Sequence, residues 1–309
     1  MDLILLFPIM RGHILLHPMF MRDASYYSSM FMQILIFATL FVFISTVATL
    51  KQYIADAAAR IDKELEYAKQ IQLSALPTNF PDSEEFDVYA NMIAAKEVGG
   101  DFYDFYKIDD KTVAFLIADV SGKGIPAAMF MMTAKTIIKD LAENGIPVNE
   151  IFTKVNEKLC ENNESGMFVT AWMGILDIET GKLTYANAGH NPPLLLRAGG
   201  EFEYLKSRAG FVLAGMEGVR YRVNELTLSA EDRIFLYTDG VTEATDSNNE
   251  LYGEDRLLAT INSNKNVGAV ELLPIIKADI DAFVGEAPQF DDITMLIFDY
   301  KHKKEVVII

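Results

Sequence analysis

Residues 30–50, MFMQILIFATLFVFISTVATL, contain no charged side chain. An α-helix rises about 1.5 Å per residue, so this run can cross a hydrocarbon core about 30 Å thick. A chain that carries it must bury it in a core, discard it as a leader or place it in a membrane. It is longer than the apolar region of a secretory leader and no small-x-small cleavage pattern follows it, which favours a transmembrane helix. Residues 3–21 are also apolar but are interrupted by Pro8, Arg11, His13, His17 and Pro18. A central Arg costs about 2.5–3.5 kcal/mol on insertion scales. The expectation is a membrane anchor over 1–50, with one span at 30–50 and a candidate second at 3–21.

Lys51, Arg60, Lys63 and Lys69 follow the run closely, and only Arg22 lies just before it. The positive-inside rule then places the remainder of the chain in the cytoplasm, on a protein of the cell membrane. Ile54, Ala58, Ile61, Leu65, Ala68, Gln72 and Ala75 recur at spacings of four and three. That pattern fits a short coiled-coil seam pairing two chains as a homodimer through the 52–76 helix. It equally fits a single amphipathic helix packed on its own domain. Pro77 and Pro81 end it. A helical linker over 51–77, a body over 78–300 and a tail over 301–309 are expected.

The body is acidic. The chain has 309 residues and a formal charge of −17, while Arg11 and Arg22 balance Asp2 and Asp23 within the first fifty. Such a field argues against nucleic acid and favours a protein client. Cys160 is the only cysteine, which excludes an intrachain disulfide and a cysteine-based zinc site.

Within the body, Val98–Gly124 reads VGGDFYDFYKIDDKTVAFLIADVSGKG. Phe102–Ile108 and Thr112–Ala118 are expected strands about the polar turn Asp109-Asp110-Lys111. A register centred on Asp110 sets Asp101 opposite Asp119, with Cβ atoms about 5 Å apart. Two facing carboxylates repel, and a divalent cation removes the conflict. Hard oxygen donors without cysteine or clustered histidine point to Mg²⁺ or Mn²⁺. Either Asp alone would equally serve as a turn cap.

Further strands are expected at Phe86–Ala95, Met167–Ile178, Lys182–Ala188, Arg233–Tyr237 and Ile293–Phe298, with helices at Ile125–Asn144 and Val148–Glu161. The run Met129-Phe130-Met131-Met132 reads as core packing. His190, in Gly189-His190-Asn191-Pro192-Pro193, reads as part of a rigid turn or as a proton donor, the turn being favoured. Asp239 follows one strand and Asp291 precedes another. Asp101, Asp119, Asp239 and Asp291 thus all stand at strand ends, the number of carboxylates a two-metal site needs if one bridges. A P-loop is excluded: Ile117 stands where its first glycine belongs, and no Ser or Thr follows Lys123.

Taken together, GGDFYD at 99–104, DVSGKG at 119–124, NAGHNPP at 187–193, YTDGVTEA at 237–244 and FDDIT at 290–294 resemble the SpoIIE/RsbU-type branch of the metal-dependent (PPM-type) serine/threonine protein phosphatases. The resemblance runs from about Ala68 to Asp299. It implies an α+β fold, a two-sheet β-sandwich flanked by helices, which the element order alone supports only as mixed α+β. It also implies two Mn²⁺ or Mg²⁺ ions bridged by Asp119, with Asp239 and Asp291 on one and Asp101 and the Val120 carbonyl on the other. Asp292 is the neighbouring alternative to Asp291. Water activated between the ions would attack the phosphoryl group in line. The implied client is a phosphorylated regulatory protein of the anti-sigma-factor-antagonist type. The sequence departs from eukaryotic relatives in carrying Ser121 where many have a histidine, and Lys96 is a weak substitute for their phosphate-binding arginine. The competing readings are a catalytically silent phosphoprotein-binding relay and a membrane-linked nucleotide cyclase. The second lacks a recognisable triphosphate loop.

Overall fold

A computed structural model describes residues 24–161 and 163–301. The stretch 3–21 and the tail beyond Lys301 lie outside the described residues. The chain divides into two units, one ending at Glu64 and one beginning at Leu65. The apolar run and the linker belong to one helix, α1 (Ala24–Ala75), long and apolar enough to cross a membrane by length and composition. Phe31, Phe41, Phe43 and Ile44 are exposed along it, as lipid-facing side chains would be. It stops short of Pro77, whose ring disfavours helical geometry in the residue before it.

The apolar seam on α1 splits in character. Ile54 and Ile61 are exposed, whereas Leu65, Ala68 and Ala75 are half-buried and Gln72 is buried. The C-terminal half of the pattern is thus at least partly buried against its own unit, and the N-terminal half presents an apolar edge.

The second unit contains β1 (Phe86–Ile93), β2 (Phe102–Lys107), β3 (Thr112–Val120), α2 (Ile125–Glu143), α3 (Val148–Cys160), β4 (Val169–Asp177) and β5 (Lys182–Ala188). They are followed by β6 (Leu194–Leu196), β7 (Phe202–Tyr204), β8 (Asn224–Thr227), β9 (Arg233–Tyr237), α4 (Asp239–Thr242), α5 (Gly253–Ser263), α6 (Ala269–Val284) and β10 (Ile293–Tyr300). The strands form two five-stranded sheets, ordered β1-β10-β9-β6-β7 and β2-β3-β4-β5-β8. Pairing is antiparallel throughout both sheets. This is the expected two-sheet α+β sandwich.

The sheets meet through aromatic side chains. Phe298 of β10 stacks on Phe115 of β3 with ring centroids 4.6 Å apart, and on Phe86 of β1 at 5.3 Å. Fully burying one such ring contributes about 1.5–3 kcal/mol. Central β3, TVAFLIADV, is buried on both faces over most of its length, which is why it reads as an apolar run rather than an alternation. On the outer side of the second sheet, α2 and α3 cover the core with Met131, Ile138, Ile151 and Phe152. Met129 points out and is 68% exposed, contrary to its expected core role. On the outer side of the first sheet, Leu272, Ile276 and Ile280 of α6 join Leu257 and Ile261 of α5 against Phe235 and Ile297.

The topology brings particular strand ends together. In the second sheet Phe102 pairs with Ala118, so the same register carried one step further sets Asp101 against Asp119. In the first, Met295 pairs with Tyr237, so the residues after β9 and before β10 share an end.

Candidate active site

Asp101, Asp119, Asp239 and Asp291 come from these two pairs of strand ends. Asp101 is 2% exposed. Its carboxylate accepts the Thr238 hydroxyl at 2.7 Å, which ties the start of β2 to the end of β9. Burial holds its carboxyl well above the ordinary range, and the charges of Asp119 and Asp292 add to the effect. Asp119 is pushed up to about 7, first by burial and then by the charges of Asp239 and Asp291. Asp239, the first residue of α4, rises to about 6 through burial, Glu243 and Asp291. Each perturbation names another member of the group, so the four carboxylates share one electrostatic site. The grouping is looser than a closed coordination shell: among the described residues no three Asp, Glu, His or Cys side chains stand in metal-ligating geometry. What fits a divalent cation is the donor chemistry, several oxygen anions raising one another's proton affinity in a water-poor setting.

Backbone approaches the site closely at two glycines. A Cβ on Gly100 would stand 2.8 Å from the Val120 carbonyl oxygen, and one on Gly240 would overlap the Asp292 carbonyl. Only glycine lets Val120 and the turn before β10 sit where they do.

The two adjacent aspartates of FDDIT have different surroundings. Asp292 is 5% exposed. It accepts the Ala95 N–H at 2.8 Å, the Gly100 N–H at 2.7 Å and the Asp101 N–H at 3.4 Å. It is a strut for the 95–101 loop. Asp291 is more open and pairs with Lys123 at 2.9 Å. Lys123 also donates to the Phe290 carbonyl and lies 3.8 Å over the Phe290 ring, bringing DVSGKG against FDDIT.

Sequence reasoning missed several other members. Gln72 donates to the Gly99 carbonyl at 2.6 Å and accepts the Gly99 N–H at 3.0 Å. Its only signal was a polar residue in an apolar seam. Asp104, the second aspartate of GGDFYD, forms a buried ion pair with Lys135 of α2. A lysine on the apolar face of that helix was the available clue. Ser121 accepts the Phe168 N–H on its hydroxyl at 2.9 Å, and its own N–H donates to the Phe168 carbonyl at 2.9 Å. Lys96 is exposed, with its stem beside Gly124.

His190 is buried, and burial lowers its imidazole to about 4. Its Nδ1 lies 2.8 Å from the Thr170 hydroxyl. Asn187 clasps its backbone, donating to the His190 carbonyl at 2.9 Å and accepting the His190 N–H at 2.8 Å. The NAGHNPP loop is a locked turn, the favoured reading of that motif.

Two antiparallel sheets between helices, with carboxylates gathered at one shared edge, define a PPM-type, or PP2C-like, phosphatase fold. The SiaA-PP2C domain of Pseudomonas aeruginosa has the same architecture, with a TM-score of 0.69 at 23% identity over 79% of this chain and 99% of that one. The family model described as stage II sporulation protein E (SpoIIE) matches residues 109–301, and the chain belongs to that family. Protein IcfG of Synechocystis is 32% identical over 272 residues, 79% of this chain and 42% of the relative. Phosphoserine phosphatase RsbU of Bacillus subtilis is 33% identical over 195 residues, 63% of this chain and 58% of the relative. The chain thus spans about half the length of these curated relatives.

Proposed function

We propose that this chain is a metal-dependent protein serine/threonine phosphatase that hydrolyses a phosphorylated regulatory protein of the anti-sigma-factor-antagonist type. The observation that carries the reading is the meeting of Asp101, Asp119, Asp239 and Asp291 from both sheets at one edge, in a chain of the SpoIIE family. Asp101, Asp119, Asp239, Asp291 and the Val120 carbonyl would hold two Mn²⁺ or Mg²⁺ ions. Bound there, the ions supply charge neutralisation for phosphoryl oxygens and a water acidic enough to attack near neutral pH. The assignment of Asp291 rather than Asp292 is supported by the use of Asp292 for backbone hydrogen bonds.

The protein's own groups do the positioning. Thr238 orients the Asp101 carboxylate, Asp292 fixes the turn that carries Asp101, and Lys123 holds Asp291 beside the site while adding positive charge for an incoming phosphate. Ser121 holds Phe168 rather than offering an acid to the leaving group. The α1 helix would anchor the chain in the cell membrane with the second unit in the cytoplasm, a placement supported by Lys51, Arg60, Lys63 and Lys69. Pairing of two copies through α1 is supported by the exposed edge of Ile54 and Ile61.

The test is phosphate release from a phosphoserine peptide by the detergent-solubilised chain with Mn²⁺, Mg²⁺ or chelator. Release requires metal and is abolished in Asp119→Asn and Asp239→Asn. Release that persists in chelator or in either variant refutes the mechanism.

A further inference from the structure

Beside the candidate site lies an open groove of about 600 Å³, lined by Phe168, Phe211, Val212 and Met216 with Cys160 at its border. Phe168, Phe211 and Met216 are 39%, 50% and 58% exposed, although large apolar side chains are normally buried. Their exposure is built into the fold. Buried Asn156 donates to the Met216 carbonyl at 2.9 Å and accepts the Ala214 N–H at 2.8 Å. Asn163 donates to the carbonyls of Met167 and Ala214, at 2.5 and 3.2 Å. Both walls are therefore pinned from below, and the apolar side chains are presented to solvent by a fixed backbone.

The groove is continuous with the acidic edge. Phe168 is bonded in both directions to Ser121, which follows Asp119 and Val120. Val120 pairs with Val169, and Val169 exchanges hydrogen bonds of 2.9 and 2.8 Å with Leu213. Two strand spacings separate β3 from the loop at Leu213, about 10 Å. The same loop carries exposed Lys206, Arg208, Arg220 and Arg222, while Glu217 lines the groove and exposed Glu161 and Glu164 stand on its other wall, a slight positive balance in a chain of formal charge −17. Apolar contacts on a loop that also carries these cations suit a phosphorylated protein segment with an apolar side chain near its phosphate.

We propose that this groove is a docking subsite for the client protein, taking a large apolar side chain within a few residues of the phosphoserine. The proposal rests on the phosphatase reading for the phosphoserine itself. The subsite makes the chain selective among phosphoproteins, because a client lacking that side chain leaves Phe168, Phe211 and Met216 in water.

The experiment uses the full chain in detergent with Mn²⁺ and phosphoserine peptides that differ only in Leu or Ser at each of the positions two to four residues to either side. Phosphate release and binding by fluorescence anisotropy are both read. The Leu peptide with the matching spacing is expected to be preferred about tenfold in kcat/KM and in Kd, the scale of burying one apolar side chain. Phe211→Ala and Met216→Glu bring that ratio close to one, and Met216→Leu keeps it. A ratio near one at every position in the parent chain, or an unchanged ratio in both variants, overturns the subsite. Phosphate release without any preference removes the subsite and leaves the phosphatase reading; preference in binding without metal-dependent release does the reverse. If Met216→Glu instead converts a dimer to a monomer in light scattering, the groove takes a second copy of this chain and the client assignment falls.

Discussion

Replacing each aspartate of FDDIT in turn separates the strut from the reactive site. In Asp292→Asn one oxygen still accepts a backbone N–H, from either Ala95 or Gly100. The other oxygen becomes an NH₂ that confronts the second donor, at a position where the carboxylate now accepts at 2.7–2.8 Å. A hydrogen bond to a charged group contributes about 1.5–3 kcal/mol, and a buried donor left without a partner costs about 1–3 kcal/mol. Relief of repulsion with Asp101 offsets part of this. The expected net loss is about 3 kcal/mol, which at about 2–4 °C per kcal/mol for a domain of this size lowers Tm by about 6–12 °C. Asp291→Asn gives up one ion pair to Lys123 in a half-open setting and relieves repulsion on Asp119 and Asp239. Its stability should change by less than about 1 kcal/mol, while metal-dependent phosphate release is lost. Differential scanning fluorimetry and the phosphate assay on the two variants decide the matter. Equal destabilisation, or full activity in Asp291→Asn, would refute the division of labour.

Three further outcomes are expected. His190 is held neutral by burial and binds its proton less readily folded than unfolded, so its contribution is fully present above about pH 6.5 and is lost as pH falls toward 4. Chemical denaturation between pH 7 and pH 4.5 should show about 2.4 kcal/mol of pH-dependent stability that is missing in His190→Gln; parallel profiles would refute this. Lys135→Met leaves Asp104 buried without its partner and should cost about 3–5 kcal/mol, most of it recovered on adding Asp104→Leu, as measured by urea unfolding. Gln72→Ala removes both bonds to Gly99 and should cost about 2 kcal/mol in the same assay; a change within a few tenths would show that water replaces the side chain.

The hairpin was legible in advance because its turn is polar, its flanks are β-branched and aromatic, and Asp110 is a symmetric centre. The observed pairing of Phe102 with Ala118 and of Lys107 with Val113 has that centre. β6, β7 and β8 were not read, since strands of three or four residues carry too little alternation. In α6 Pro274 argues against a helix, yet buried Leu272, Leu273, Ile276 and Ile280 hold it to the first sheet. Tertiary burial outweighs the lost backbone bond there. At the site, aspartates at strand ends were visible as a pattern. The distinct duties of Asp291 and Asp292 were not, because they depend on which main-chain donors a distant loop presents. The helical pattern of α1 was visible too, but the partner of Gln72 lies 27 residues away in a loop.

That partner gives the last turns of α1, from Leu65 on, an angular setting within the second unit. The Gly99 peptide offers one donor and one acceptor, and Gln72 answers both. Neighbouring residues on a helix are turned about 100° and displaced about 1.5 Å. Moving α1 by one residue would bring Ile71 or Leu73 to Gly99, and neither side chain can bond a peptide. The linkage is therefore discrete, made at one rotational position of residues 65–75 on their own unit and lost at its neighbours. The glycine two places before Asp101 thus fixes the register of residues 65–75 within the second unit.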